Sequence, residues 1–505
     1  MARSEHVPEA LASLQAGQST LIFRRRIADT ETPVSAALKL FEPERGDFLL
    51  ESVEGGETRA RHSLLGIAPD LVFRAHGEAA EINRQWQWDR TAFASVAENS
   101  LNALRDLAGE CRMDVPDALP KALACLVGYF GYETVGLVEK LPRAPESSLQ
   151  LPDMLFVRPT VLLVFDRLKD ELFLVAPLWS GSVQDAERQI ERADEALDNA
   201  ERLLDGTLPH PAPPQLPDLA DIEAQPQMPP GRYHEMVAQA KSYIEAGDIF
   251  QVVLAQRFTA PFALPAIELY RALRRINPSP FLYFLDLPEF SLIGSSPEIL
   301  VRVREGEITI RPIAGTRPRG RNPAEDAENR ASLLADPKER AEHLMLLDLG
   351  RHDTGRYAEP GSVRVTDSFT VEQYSHVMHI VSNVTGRLQA GRDAIDAVFA
   401  GFPAGTVSGA PKVRACEIIA ELEPETRGAY AGGVGYFAPD GSLDSCIVLR
   451  TAILKDGTMH VQSGAGIVAD SQPDYEQREC EAKAGALFAA AREAVRQASE
   501  AGYGQ

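Results

Sequence analysis

The 505-residue sequence has no apolar run long enough to span a bilayer, and Met1 to Gln18 carries neither the cationic head nor the apolar core of a secretory signal. Neither a membrane role nor export is therefore expected, and the cytoplasm is the expected compartment. Cysteine is scarce. Cys111, Cys125, Cys416, Cys446 and Cys480 show neither the paired spacing of a zinc site nor the density of a disulfide framework, so they read as reduced, structural residues. Positive charge is in deficit: 51 Lys and Arg against 73 Asp and Glu leave −22, a field that repels nucleic acid unless cations are gathered locally. The one tight cationic run, Arg24-Arg25-Arg26, lies between Leu21-Ile22-Phe23 and Ile27 and reads as a strand end or a surface patch. No nucleic-acid partner is expected.

What is there, 44% hydrophobic and 25% charged residues over this length, suffices for a large core divided among two or three globular units. The proline-rich stretch 205–231 reads as a linker, between a strand-rich domain over 1–204 and a second domain over 232–505. Val161 to Phe165 and Glu171 to Ala176, joined by a polar turn, predict a hairpin. Val183, Ala186, Ile190, Ala193, Leu197, Ala200 and Leu204 recur at three and four residues, which predicts a long amphipathic helix packed on its own domain. Tyr233, Val237, Ala240 and Ile244 mark another helix. Phe250, Val252 and Leu254 then alternate as one face of a strand, with Gln251 on the other. Strands are also expected at 281–285, 291–293, 307–310, 447–450 and 459–463, and the nearest class is α+β.

Several residues carry chemistry. Asp336-Pro337-Lys338-Glu339 opens a helix with aspartate as N-cap, proline first and glutamate third, and Glu342 follows on the same face. Glu476 and Glu479 share a helical face with Lys483. Alone, these acids read as a capping box and solvated charges. Converged, they would repel one another unless a cation lay between them, and an oxygen-only set selects magnesium. Ser463-Gly464-Ala465-Gly466-Ile467 could turn its backbone N–H groups toward an anion or be no more than a tight turn. Arg450 and Lys483 could supply positive charge there or form surface ion pairs. Phe402 to Lys412 looks like a built loop, and His379, with apolar neighbours, reads as a core histidine.

Taken in order, GDIFQVVL (247–254), GSSPE (294–298), RPIAGTR (311–317), KERAEH (338–343), FPAGTVSGAPK (402–412), GYF (435–437), SGAGIVADS (463–471) and EQRECEAK (476–483) resemble the motif series of the chorismate-utilising enzymes. Within that family the likeness is to the synthase chains of anthranilate synthases. It extends into the first half through TPVSA (32–36), LLES (49–52) and GYFG (128–131). The fold so implied is antiparallel sheets packed face to face with helices outside, in α/β/β/α layers. The activity implied is formation of anthranilate and pyruvate from chorismate and ammonia.

The resemblance also implies roles by position. Glu342 and Glu479 match magnesium ligands, with Glu339 and Glu476 supporting the metal directly or through water. Gly315, Thr316, Tyr430, Arg450, Gly464, Ala465, Gly466 and Lys483 match chorismate-binding positions, Glu298 the general acid, and His379 and Thr406 positions beside the reacting ring. Water-adding relatives carry a lysine where Gln251 stands, and aminodeoxychorismate-forming relatives typically place a nucleophilic lysine where Ala314 stands. Glu51 and Ser52, with Pro280, Phe281 and Leu282, resemble a tryptophan feedback motif. No cysteine sits in a glycine-flanked elbow, so a separate glutamine amidotransferase subunit, and hence a hetero-oligomer, is expected to supply ammonia. An aminodeoxychorismate-forming synthase and a catalytically silent regulatory relative stay open as alternatives. His352 departs from the asparagine usual at its position.

Overall fold

The computed structural model describes residues 4–54, 58–180, 185–209, 222–374 and 377–499. Val183 of the expected helix stripe and 210–221 of the expected linker lie outside the described residues.

Alternating apolar segments build two antiparallel sheets of twelve strands each. The first runs Thr20–Ile27, Glu171–Leu178, Val161–Asp166, Thr58–Ile67, Asp47–Glu54, Phe281–Leu287, Phe290–Ser296, Thr451–Lys455, Thr458–Ile467, Gln251–Pro261, Gln225–Pro226, with Gly409–Ala410 also paired to Gln251–Pro261. The second runs Ile313–Pro318, Val377–Arg387, Glu307–Ile310, Ile299–Arg304, Leu443–Ile447, Gly433–Phe437, Leu126–Phe130, Met154–Arg158, Leu71–His76, Ala79–Asn83, Ala94–Ser95, with Arg364–Gln373 also on Val377–Arg387. The sheets face each other across an apolar core, where the rings of Tyr129 and Phe290 meet edge to face at 6.0 Å. Helices Ala186–Leu204, Arg232–Glu245, Ala266–Ile276, Lys412–Leu422 and Pro473–Ser499 cover the first sheet. Ser100–Glu110, Pro323–Ala335, Pro337–Gly355 and Ala394–Gly401 cover the second, giving the expected α/β/β/α layers.

Strands from both halves of the chain share each sheet. In the first they join where Asp47–Glu54 pairs with Phe281–Leu287, and in the second where Leu126–Phe130 pairs with Gly433–Phe437. Short connections after Ile67, Arg158, Ser296 and Ile447 carry the chain from one sheet to the other. Two of these adjoin: Ile447 N–H donates to Glu298 O at 3.0 Å, and Ser296 Oγ–H donates to Ile447 O at 2.6 Å.

The long helices form for the reasons read from their sequence. Asp336 caps Pro337–Gly355 by accepting from the Lys338 and Glu339 amides at 2.9 and 3.4 Å. Leu487, Phe488, Ala491 and Val495 are all buried along Pro473–Ser499, and burying each large apolar side chain contributes about 1.5–3 kcal/mol. The 161–178 hairpin has the expected turn, with Glu171 opposite Asp166.

Three expectations need correction. Arg24 to Arg26 do end the strand Thr20–Ile27, but Arg24 is no surface patch: it is 2% exposed and reaches Asp194, Asp198 and Glu201 on Ala186–Leu204 at 2.7, 2.6 and 2.8 Å. The helix thus brings acids as well as its apolar stripe to the sheet, because a buried guanidinium requires partners. Phe250 lies before its strand and is 72% exposed, while Val252 and Leu254 are buried. Residues 447–450 do not extend one strand to Arg450. The strand stops at Ile447, and Arg450 takes a left-handed φ of 49° in the crossing between sheets.

Candidate active site

The crossings after Ser296 and Ile447 bend the chain at one end of the sheets, and a cleft of ≈ 1120 Å³ opens there. All the catalytic, substrate and metal residues expected from the sequence line it, except Ala465. Ser463 to Ile467 is not a turn but the end of strand Thr458–Ile467, paired residue by residue with Gln251–Pro261. Strand alternation therefore aims Gly464 and Gly466 into the cleft and buries the Ala465 methyl on the opposite face, leaving only its backbone as a possible contact. The glycines are required by close approach. A Cβ on Gly464 would meet Leu254 O and Tyr430 Oη at 2.9 Å, and one on Gly466 would meet Gln251 Nε2 at 2.5 Å.

Glu298 stands in the 296–299 crossing, 7% exposed, and burial pushes its carboxyl up to about 8. The Thr406 hydroxyl lies beside it and pulls slightly the other way, at a contact short of a well-formed hydrogen bond. A carboxyl in this state is neutral at pH 7 and can donate a proton.

His379 is buried on strand Val377–Arg387, with Nδ1 2.9 Å from Gly315 O and 3.1 Å from Thr316 Oγ1. A carbonyl only accepts, so Nδ1 carries the proton and Nε2 remains a base. Burial lowers the pKa of the ring, keeping it neutral, and Tyr374 packs edge to face against it at 5.4 Å. Gly315 reaches His379 through a bulge at φ 70°, where a Cβ would meet Glu339 Oε2 and Leu333 Cδ1 at 3.1 Å. Tyr374 escaped the sequence reading because no motif surrounds it.

Arg450 and the glutamates set the electrostatics. Arg450 has no ion pair among the described residues, and burial lowers its pKa, so its charge waits for an anionic ligand. Glu342 on Pro337–Gly355 is raised first by burial and then by Glu339, with Glu479 adding to the repulsion. Glu476 on Pro473–Ser499 is raised by burial and by Glu479. Lys483 Nζ holds Glu479 at 2.8 Å and Gly464 O at 2.9 Å, and Arg317 holds Glu339 at 3.0 Å and Asp336 at 2.7 Å. Among the described residues no three His, Cys, Asp or Glu side chains form a ready-made metal cage. The donors nevertheless fit a hard cation: they are all oxygens, and their repulsion is what such a cation relieves.

Gln251 and Val253 line the cleft from the first sheet, and Gln251 Oε1 is buried without a hydrogen-bond partner among the described residues. Ala314 lines the opposite wall with no group able to bond covalently to substrate. His352 is exposed on Pro337–Gly355 and does not line the cleft, so its departure from asparagine leaves the lining unchanged. Glu51 and Leu282 are paired neighbours at the junction between the halves, away from the cleft. The Glu51 carboxylate is buried, accepting from Tyr270 Oη at 2.7 Å, from Arg274 at 2.5 and 3.0 Å, and from Arg167. Burial opposes its ionisation, but these donors outweigh it and hold its pKa low.

Two face-to-face sheets with an anion-seeking cleft at their crossings define a class, and the family model described as chorismate binding enzyme matches residues 46–489; the chain belongs to that family. It is 51% identical over 494 residues to anthranilate synthase component 1 of Cereibacter sphaeroides, covering 97% of this chain and 98% of that one. The component 1 of Thermus thermophilus is 46% identical over 92% of this chain and 96% of its own length. A crystal structure of anthranilate synthase component I from Streptococcus pneumoniae superposes with a TM-score of 0.74 at 35% identity, covering 92% of this chain and 99% of that one. The menaquinone-specific isochorismate synthase of Escherichia coli shares the fold, with a TM-score of 0.70 at 19% identity over 96% of this chain and 100% of that one. Within the family the chain falls among the component I enzymes of anthranilate synthase, which are lyases. No helix among the described residues is long and apolar enough to cross a membrane.

Proposed function

We propose that this chain converts chorismate and ammonia to anthranilate and pyruvate, receives its ammonia from a glutamine amidotransferase subunit in a hetero-oligomer, and is inhibited by tryptophan as end product. The observation that carries this reading is the neutral Glu298 carboxyl facing the same cleft as the unpaired Arg450 guanidinium. Hydroxide is a poor leaving group, and an acid protonated at pH 7 and shielded from water is what its departure needs.

In the first step the nitrogen lone pair bonds to ring carbon 2, both ring double bonds shift by one position, the bond from carbon 4 to its hydroxyl breaks, and the added nitrogen gives up a proton to solvent. Glu298 protonates that oxygen, so water leaves. In the second step the hydrogen on carbon 2 passes to His379 Nε2, the ring becomes aromatic, and the ether bond at carbon 3 breaks. The enolpyruvate released takes up a proton and becomes pyruvate. Arg450 and the backbone amides of Gly464 and Gly466 suit the enolpyruvyl carboxylate, while Gly315, Thr316, Tyr430 and Lys483 frame the ring. Thr406, which lines the cleft with His379, serves the second, aromatising step beside the ring.

Glu342 and Glu479 would hold magnesium, with Glu339 and Glu476 supporting it directly or through water. The metal supplies a Lewis acid that grips and neutralises the ring carboxylate. Gln251 has no basic nitrogen with which to activate water, and Ala314 cannot form a covalent adduct, which favours anthranilate over the products of other chorismate enzymes. Glu51 opposite Leu282, with Ser52, Pro280 and Phe281 next to them in sequence, supports a tryptophan site apart from the chemistry.

The test is to mix the purified chain with chorismate, magnesium and an ammonium salt at alkaline pH. Anthranilate fluorescence is expected, together with glutamine-dependent turnover once an amidotransferase subunit is added. Isochorismate, salicylate or aminodeoxychorismate as product, or no product, would overturn the reading.

A further inference from the structure

Strand Gln251–Pro261 has a neighbour on one side along its whole length, Thr458–Ile467. Among the described residues its other edge is only partly paired: Gly409–Ala410 covers Gln251 and Val252, and Gln225–Pro226 covers Phe258 and Thr259. Between them the backbone groups of Val253 and Ala255 have no strand to meet, yet both are buried and must be satisfied. The Val253 amide donates to Ser408 O at 2.8 Å, and two side chains meet the Val253 carbonyl and the Ala255 amide. Arg427 Nη2 donates to Val253 O at 2.7 Å, and Glu423 Oε1 accepts from the Ala255 amide at 2.8 Å.

The two side chains are themselves bound together, Arg427 Nε to Glu423 Oε2 at 2.9 Å and Nη2 to Oε1 at 2.5 Å, and they are 3% exposed. Arg427 has a further grip: Nη1 donates to Val407 O at 2.7 Å, one residue past Thr406. Its guanidinium also lies over the rings of Tyr132 at 4.7 Å and Tyr430 at 5.5 Å. Behind it, Glu133 accepts the Arg427 and Gly428 amides at 2.7 and 3.0 Å. Val253, Thr406, Val407 and Tyr430 all line the cleft, whereas Arg427 and Glu423 do not.

We propose that the Glu423–Arg427 pair positions the catalytic cleft, standing in for a missing strand segment on Gln251–Pro261 and fixing Thr406 and Gln251 relative to the substrate for the aromatising step. The inference rests on the reaction assigned above. A planar fork is needed, since one group must reach the Val253 carbonyl, the Val407 carbonyl and a carboxylate at once from three nitrogens; lysine, whose donors all sit on one nitrogen, cannot span them. Replacing Arg427 therefore releases Thr406 while Arg450 and the glycine strand keep their hold on substrate.

The test is Arg427→Lys in the full chain, assayed with chorismate, magnesium and ammonium. Anthranilate kcat is expected to fall about 10²-fold, the loss that an ångström of misplacement causes. The dissociation constant for chorismate should move less than about tenfold, and the aminated, non-aromatic intermediate should appear in the medium by chromatography. Should that variant not fold by circular dichroism, the double variant R427M/E423M, which leaves no buried charge unpaired, is scored in the same way. Wild-type-like kcat, parallel losses of kcat and chorismate affinity without intermediate, or failure of both variants to fold would overturn the proposal. A wild-type chain that makes no anthranilate would instead overturn the reaction assignment.

Discussion

Glu298→Gln isolates the proposed acid with little change of shape. At its ordinary value of 4.5 a glutamate is protonated at pH 7 in about one molecule in three hundred; at about 8 it is protonated in roughly nine of ten. Glutamine preserves the shape and has no proton to give, so ammonia-dependent kcat should fall by about 10²–10⁴, the usual contribution of general acid catalysis. In the wild type, kcat/KM for chorismate at fixed free ammonia should decline above pH 8 as the acid ionises. The same shift has a stability consequence of opposite sign to activity. A carboxyl whose folded pKa exceeds its unfolded value binds its proton more tightly in the folded state, so stability is fully present below about 4.5 and is lost as pH rises through 8. Glu298→Gln escapes that loss, and its melting temperature should exceed that of the wild type at pH 9, with the gap narrowing toward pH 5. Anthranilate fluorescence, chorismate binding by calorimetry and thermal melts at both pH values check all three effects. Turnover within a few-fold of the wild type, or equal loss of chorismate affinity, would refute the acid role.

Arg450→Met should raise KM for chorismate by roughly ten- to a hundredfold, the worth of a charge-assisted contact, without lowering the melting temperature, because an unpaired, half-buried cation is removed; steady-state kinetics and thermal melts decide it. The paired substitution Glu342→Gln with Glu479→Gln should abolish magnesium binding in calorimetry and stabilise the metal-free chain, since burial, and then repulsion from Glu339 and Glu479, raises Glu342. Glu51→Gln should abolish tryptophan inhibition of anthranilate formation. It should also cost about 3–5 kcal/mol in denaturant unfolding, because Arg167 and Arg274 lose their buried counter-ion.

Much of the site was legible because its parts are local. Asp336 to Glu342 carries a cap and a carboxylate pair on one helical face, and Glu476 to Lys483 carries another, so each pair could be placed before its partner was known. Misreadings arose where a distant partner decides the geometry. Gly464 and Gly466 resemble a turn by composition, yet pairing with Ala255 and Val253 keeps them extended, and the reason for glycine is the crowding of Tyr430 and Gln251. Arg450 was found by its charge, but the apolar residues before it concealed a change of sheet at Ile447. Glu423 and Arg427 showed nothing in sequence, since an acid and a base four residues apart usually mean a solvated helix face. Only the gap in a strand's edge gives them a task.

The junction of Asp47–Glu54 with Phe281–Leu287 has a mechanical meaning. From Glu51 the hydrogen-bonded path runs across Leu282 to strand Phe290–Ser296, which ends two residues before Glu298. Strands bonded in register cannot slip singly, since a one-residue shift would turn every side chain to the wrong face. A ligand that rearranges the Glu51 cluster therefore pulls on a stiff three-strand ribbon, with the proposed proton donor just past its far edge.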